Sequence, residues 1–374
     1  MRVIGLISGT SMDAVDVAVG DFALEGTTVV LTPVHHGEHP FPPALRTPPT
    51  SAQDLCLMDN DLGRLFADAA RPHVRAHRAD LVASLGQTVH HHVVDGRCAG
   101  TLQLGQPAWI AEATGLPVIA DFRVRDVAAG GHGAPLASTL DALWLAELPN
   151  TTALNVGGIA NITRRTPDGV VAYDTGPGNA LLDAAMTALS NGLRTHDVDG
   201  EFAARGRIHG ELLTRLLADP YYAARPPKST GKEHFDLGYL ERVADGLTLP
   251  AEDLLATLTE LTARTVAAEC AGTTVIGSGG GMRNPALVRS LRDKVDLRTS
   301  DEFGLPADGK EAYLAALLGF LAWHGLPANV PAATGAAGPR LLGAITPGRD
   351  PLRLPDPADA PVTGLRIGGH RARP

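Results

Sequence analysis

The sequence predicts an α/β protein made of two domains with one topology. Two observations carry this reading. The chain opens with three consecutive strand-like runs whose first turn holds glycine, and it repeats that grammar from Thr151 onward. Between and after these blocks, helical patterns alternate with short apolar strands, the order expected of sheets built partly from parallel strands. At 374 residues and 44% hydrophobic content, the chain is long enough for two full cores. The duplication is one of fold, because no sequence repeat accompanies it.

The elements follow in order. Val3 to Val19 reads as a hairpin: an apolar run, a turn carrying Gly9, Thr10, Ser11 and Asp13, and a second run in which Val15, Val17 and Val19 alternate with Asp16 and Ala18. Its small and hydroxyl residues suit either an ordinary hairpin turn or one that closes round phosphate oxygens. It is neither a Walker loop, which needs a Lys and a following helix, nor a dinucleotide fingerprint, which also opens a helix. Thr27 to Val34 supplies a third strand, and Pro40 to Thr50 a surface loop. Asp54 to His77 has helical spacing, with Pro72 expected to kink or split it.

Asp80 to Ser84 is a short buried strand that leads to Gly86-Gln87-Thr88 and to His90, His91 and His92. Adjacent histidines in a strand point to opposite faces, so the run reads as a polar site edge or exposed loop rather than a metal centre. A helix from Gln106 to Thr114 precedes the strand Leu116 to Ala120. Asp121-Phe122-Arg123-Val124-Arg125-Asp126 then lies just past a strand end and beside a glycine-rich segment, where open α/β sheets place catalytic groups.

After a helix from Ala137 to Leu148, three runs follow: Thr151 to Val156, Ile159 to Arg164, and Val170 to Tyr173. The first turn is Gly157-Gly158, and the last run ends in Asp174-Thr175-Gly176-Pro177-Gly178. Asn179 is placed to cap the helix Ala180 to Leu189. Pro226 to Glu233 is too polar and proline-rich for a core strand and reads as a loop, either ligand-facing or plain surface. The helix Pro250 to Cys270 feeds the strand Thr273 to Ile276, then Gly277-Ser278-Gly279-Gly280-Gly281, with Asn284 and Pro285 opening a helix to Lys294. Glycines between a strand end and a helix start suit an adenosine pocket. Lys310-Glu311-Ala312 opens a helix to His324, and the segment after Pro347 is expected to be a loose tail.

The formal charge of −9 leaves no basic face for phosphate backbones, which argues against nucleic-acid or anionic-membrane partners. Cys56, Cys98 and Cys270 are far apart and show no metal-binding spacing, which fits a reducing compartment. The opening has no signal-peptide pattern, and no apolar run reaches membrane-spanning length. A soluble, cytoplasmic protein is expected.

With these stretches read, the chain resembles the anhydro-N-acetylmuramic acid kinases, of the sugar kinase, hsp70 and actin superfamily. The resemblance rests on SGTSMDAVD, GQTVHH, DFRVRDVAAGGHGAPL, NVGGIAN, DTGPGN, DVDGEFAARG, PPKSTGKEHFD, GSGGGMRN, KEA and ATGAAGPRLLGAITPG, which span nearly the whole chain. It implies two ribonuclease-H-like domains flanking a central ATP and substrate cleft, placed here at 1–135 and 136–374, with a C-terminal tail free to return to the first. It implies a reaction in which water attacks the anomeric carbon of 1,6-anhydro-N-acetylmuramic acid. The freed O6 then takes the γ-phosphoryl of ATP. A homodimer is implied as well.

Residue by residue, Gly9, Thr10, Ser11, Met12, Asp13, Ala14, Val15 and Asp16 match the ATP phosphate loop. Gly157, Gly158, Asp174, Gly176 and Gly178 match the second phosphate region, and Gly279, Gly280 and Gly281 the nucleoside side. Asp126 matches the general base and Glu311 a glutamate at the sugar site. Gln87, Asp121 and Arg123 are taken as further sugar-site residues. Mg²⁺ is required to bridge phosphate oxygens, with Asp13 or Asp174 as its ligand, directly or through water. Ala14, Leu85, His132 and Asp141 depart from the family pattern. The last three bear on which sugar is taken, so a kinase for another sugar or anhydrosugar stands as an alternative; a non-catalytic binding regulator is a further one, disfavoured because Asp126, Glu311 and the phosphate turns remain.

Overall fold

A computed structural model describes residues 1–9, 12–94, 96–226, 228–358 and 360–368. The chain divides into two compact units, Met1–Glu147 with Phe303–Pro374, and Leu148–Glu302.

In the first unit, β1 (Arg2–Ser8), β2 (Ala14–Glu25) and β3 (Thr28–Pro40) form an antiparallel ribbon. β4 (Leu81–Val94) joins β1 in parallel, β5 (Arg97–Leu104) folds back on β4 as a hairpin, and β6 (Val118–Ala120) adds in parallel on the far side. One face of the sheet carries Ile4, Leu6, Val17, Val19, Val82 and Val118. These pack on Leu62 and Phe66 of the helix Ala52–His77 and on Ile110 of the helix Pro107–Thr114. The other face receives the helix Lys310–Trp323, where Phe22 of β2 stacks on Phe320 at 5.3 Å between ring centroids.

The second unit repeats the plan. β7 (Thr151–Val156), β8 (Ile159–Thr166) and β9 (Gly169–Pro177) are antiparallel, and β10 (Thr274–Ser278) and β11 (Asp296–Thr299) follow in parallel. The strand order β3-β2-β1-β4-β6 in one sheet corresponds to β9-β8-β7-β10-β11 in the other. This is the ribonuclease-H-like order in both units. Leu154, Val156, Ile162 and Val275 bury one face of the second sheet against Ala263 and Val266 of the helix Ala251–Glu269 and Leu287 and Leu291 of the helix Pro285–Arg292.

Several expectations change. The units do not divide near residue 135, because the helix Lys310–Trp323 lies on the first sheet and the end of the chain supplies two more of its strands. β12 (Ala344–Thr346) pairs with β6, and β13 (Gly364–Ile367), in the segment expected to be a loose tail free to return to the first domain, pairs with β3. Both find open sheet edges whose N–H and C=O groups need partners. The helix Ala52–His77 runs through Pro72 unbroken, with Ser51 accepting from the Asp54 N–H at its start. β4 continues through the three histidines, so His90 and His92 stack on one side while His91 faces Cys98. Asn179 makes no side-chain cap; its N–H donates to the Gly157 carbonyl at 2.9 Å instead.

A side chain on Gly5 of β1 would collide with the Ala312 carbonyl and stand 2.7 Å from the Ala316 N, both backbone atoms that cannot rotate away. Gly5→Ala is therefore expected to cost about 3 kcal/mol of unfolding free energy, the upper part of the usual overpacking range. Gly100→Ala, which meets nothing within 4 Å, should cost less than about 0.5 kcal/mol. Chemical denaturation of the two variants checks this; equal midpoints would show that the helix does not bear on β1 so closely.

Candidate active site

In the first unit, β1 ends at Ser8 and β2 begins at Ala14. Met12 takes φ +55 and donates its N–H to the Gly9 carbonyl at 3.2 Å, and Asp13 is exposed. Thr10 and Ser11 lie outside the described residues. At the end of β1, Ser8 pairs with Gln87 in the β1–β4 register, and Ser8 Oγ and Gln87 Oε1 are both buried without a hydrogen-bond partner.

Asp126 sits in the short helix Val124–Ala128 beyond β6 and is 0% exposed. Its Oδ1 accepts from Asn329 Nδ2 at 2.7 Å and Thr334 Oγ1 at 2.8 Å, and its Oδ2 from the Gly133 N–H at 2.8 Å. Gly131 leaves the room that Oδ2 occupies, since a Cβ there would collide with it. Asp126 thus clamps the glycine-rich segment to the stretch after the helix Lys310–Trp323. A general base must reach a water on the substrate, and this carboxylate is fully buried with donors on both oxygens. Asp126, expected as the general base, is in this structure a link between chain segments.

The expected sugar residues separate. Arg123 donates to the Gly133 carbonyl at 2.8 Å while its Nε is buried without a partner; burial lowers its proton affinity, and the charge of Glu311 restores part of it. Glu311, in the first turn of its helix, touches solvent, yet the protein around it pushes its carboxyl up, against the pull of Arg123 and Lys310. Asp121, at φ +59, lies instead on a cavity of about 290 Å³ with Asp59, Ser84 and Gln103, and burial pushes its carboxyl up. Gln87 is the buried partner of Ser8. Asp141 is held by Lys310, with Oδ1 2.6 Å from Nζ and both side chains under a tenth exposed. Leu85 is buried on the same cavity, and His132 donates its N–H to the Thr334 carbonyl at 2.8 Å.

In the second unit, the carbonyls of Gly157 and Gly158 accept from the N–H groups of Gly178, Asn179 and Ala180, all at 2.9 Å. A Cβ on Gly178 would meet the Gly157 carbonyl, so the close turn itself requires that glycine. Gly176 takes φ +148 and packs under Tyr222. Asp174, at the end of β9, has one anchored oxygen: Oδ2 accepts from Ser229 Oγ at 2.9 Å and the Thr230 N–H at 3.0 Å. Burial pushes its carboxyl up, against those two bonds. Gly279, at φ +88, and Gly281 pack on Val156 at the end of β7, whereas Gly280 faces open space. Asn284 caps the helix that follows by accepting from Ala286 N at 3.0 Å and Leu287 N at 3.2 Å.

The clamp donors Asn329 and Thr334 were not anticipated, since they lie some two hundred residues from Asp126; the ATG of the motif near the C-terminus was the nearest signal. Among the described residues, no three His, Cys, Asp or Glu side chains converge as a metal site. No helix is long and apolar enough to cross a membrane.

Two measurements follow. Asn at position 126 must turn an N–H toward one of three donors, so Asp126→Asn should lower unfolding free energy by about 1–3 kcal/mol, the penalty of an unsatisfied buried group; unchanged stability would remove the clamp. Asp183, in the first turn of the helix Ala180–Leu189, is pushed by burial from 3.8 to about 6. The folded protein then holds a proton that the unfolded chain has released, so this group's contribution to stability falls as pH rises from about 4 to about 6. Asp183→Asn should raise the melting temperature more at pH 8 than at pH 4; a uniform shift would contradict it.

The chain matches the profile described as anhydro-N-acetylmuramic acid kinase over residues 1–348. Relatives bearing that name come from Streptomyces avermitilis, 55% identical over 96% of this chain and 98% of the relative, and Streptomyces coelicolor, 51% identical over 99% and 100%. A third, from Rhodococcus erythropolis, is 46% identical over 98% of this chain and 99% of its own length.

Proposed function

The chain belongs to the anhydro-N-acetylmuramic acid kinase family, and on that premise we propose that it opens 1,6-anhydro-N-acetylmuramic acid with water and phosphorylates O6 from ATP. The products are N-acetylmuramic acid 6-phosphate and ADP, which serves peptidoglycan recycling. The observation that carries this reading is the match along nearly the whole chain to relatives of that name. Water adds to C1 as the C1–O6 bond breaks, and the departing O6 takes the γ-phosphoryl group. A carboxylate takes the water's proton.

Among the carboxylates, Asp174 suits the base. Ser229 and Thr230 hold its Oδ2, no bond to Oδ1 is found among the described residues, and burial raises its affinity for a proton. Glu311 and Arg123 suit the sugar, with the free guanidinium Nε as a donor. The turns Gly9–Asp16, Gly157–Gly158 and Gly176–Gly178 suit the phosphates, and Gly279–Gly281 the nucleoside. No protein cage for a divalent ion exists among the described residues. Exposed Asp13 would serve as a carboxylate ligand to Mg²⁺, which would supply charge neutralisation for the phosphates. A cytoplasmic location, which three unpaired thiols suit, and a homodimer, checked by light scattering, complete the reading.

The test is turnover of ATP, Mg²⁺ and the anhydrosugar in ¹⁸O water. Label at C1 and phosphate at O6 are expected; turnover of a different sugar alone would move the specificity, and no transfer would end the kinase reading. Asp174→Asn keeps an oxygen toward Ser229 and Thr230, so it should fold and bind ATP while losing turnover by about 100-fold or more, in line with loss of a general base. Near-normal turnover would return that role to Asp126.

A further inference from the structure

The chain has four lysines, and three are committed to carboxylates. Lys228 Nζ stands 3.1 Å from Glu269, Lys294 Nζ 2.9 Å from Glu260, and Lys310 Nζ 2.6 Å from Asp141. Lys232 has no ion pair or hydrogen bond among the described residues. Its exposed side chain nevertheless lies across the Gly157–Gly158 turn: a Cβ on Gly158 would collide with Lys232 Cε and stand 3.3 Å from Nζ. A free lysine has rotamer entropy to gain in water, so its place on a glycine turn calls for a cause.

The loop that carries it is pinned on both sides of Ser229. Lys228 is fixed by Glu269, whose other oxygen accepts from the Tyr173 hydroxyl at 2.8 Å, and Thr230 and Ser229 are fixed by Asp174. The turn beneath is held by the three N–H groups that donate to its carbonyls. Asp183 is near enough for the charge of Lys232 to act on it, but the two form no ion pair among the described residues. An ammonium with no ion pair among the described residues is thus mounted on a rigid glycine turn.

We propose that Lys232 is the cation that takes the charged oxygens of the nucleotide's polyphosphate at the Gly157–Gly158 turn, with the pinned loop as its mount. The identity of the anion rests on the kinase reading above. Glycine at 158 then has a specific purpose: it leaves the path of the lysine clear. The collision partner of an added Cβ is the flexible end of Lys232 and φ is unstrained, so Gly158→Ala should fold and displace the ammonium.

Calorimetric titration with ATP and with adenosine tests this on wild type, Lys232→Met, Lys232→Arg, Gly158→Ala and the Met/Ala double variant. Lys232→Met should weaken ATP by about 10–100-fold, the range of a charge-assisted contact, and leave adenosine unchanged. Lys232→Arg should recover most of the loss, and the double variant should be no worse than the weaker single one. Unchanged ATP affinity in Lys232→Met, or an equal loss for adenosine, overturns the proposal. Wild type that binds ATP through Lys232 but turns over no sugar would sink the kinase reading and leave this inference standing; wild type that binds no nucleotide would sink both.

Discussion

The first unit depends on one close approach, the backbone of β1 at Gly5 against the backbone of the helix Lys310–Trp323 at Ala312 and Ala316. Main chain lies on main chain there, so the helix has a single seat. Gly319 repeats the contact further along, against the Cβ of Ala83 in β4. The seat fixes where the helix begins, and its first residues are Lys310 and Glu311. Lys310 turns into the protein to pair with Asp141, a bond whose loss would strand a buried charge at a cost of about 3–5 kcal/mol. Glu311 turns the other way, toward solvent and the charge of Arg123.

Environment sorts the remaining carboxylates by what surrounds their oxygens. Asp126 has three donors and no surface, so it holds chain segments together. Among the described residues, Asp174 has donors on one oxygen only, and desolvation raises its proton affinity. Asp183 is raised by burial, with no side-chain bond among the described residues to offset it. Residue type alone does not separate these three, since each is an aspartate near glycine and a strand or helix end.

Much of the fold was legible because its signals are local. Alternation in Val15, Val17 and Val19 marks a strand with one buried face, and those three side chains lie in the core as that pattern requires. The two strand-turn-strand blocks revealed the duplication, since three antiparallel strands with a glycine turn can be read without knowing what they pack on. The Asn284 cap was legible for the same reason, while the side chain of Asn179, whose backbone is already helical at φ −89 and ψ −9, makes no cap bond. The strands β11, β12 and β13 are only three or four residues long and are made by the edges they join, so no window of sequence announces them.

The sequence by itself determined the class of fold, its duplication, the glycine turns and the family, because periodicity, turn chemistry and motif order are properties of neighbouring residues. Tertiary structure decided which carboxylate is a clamp and which has an open oxygen, where the chain's end pairs, and which lysine is left uncommitted. Those outcomes depend on partners far apart in the chain, such as Asp126 with Asn329 and Thr334, or Lys228 with Glu269. Burial and hydrogen bonding arise only once such partners meet, and they, rather than residue type, set the charge and reach of each group.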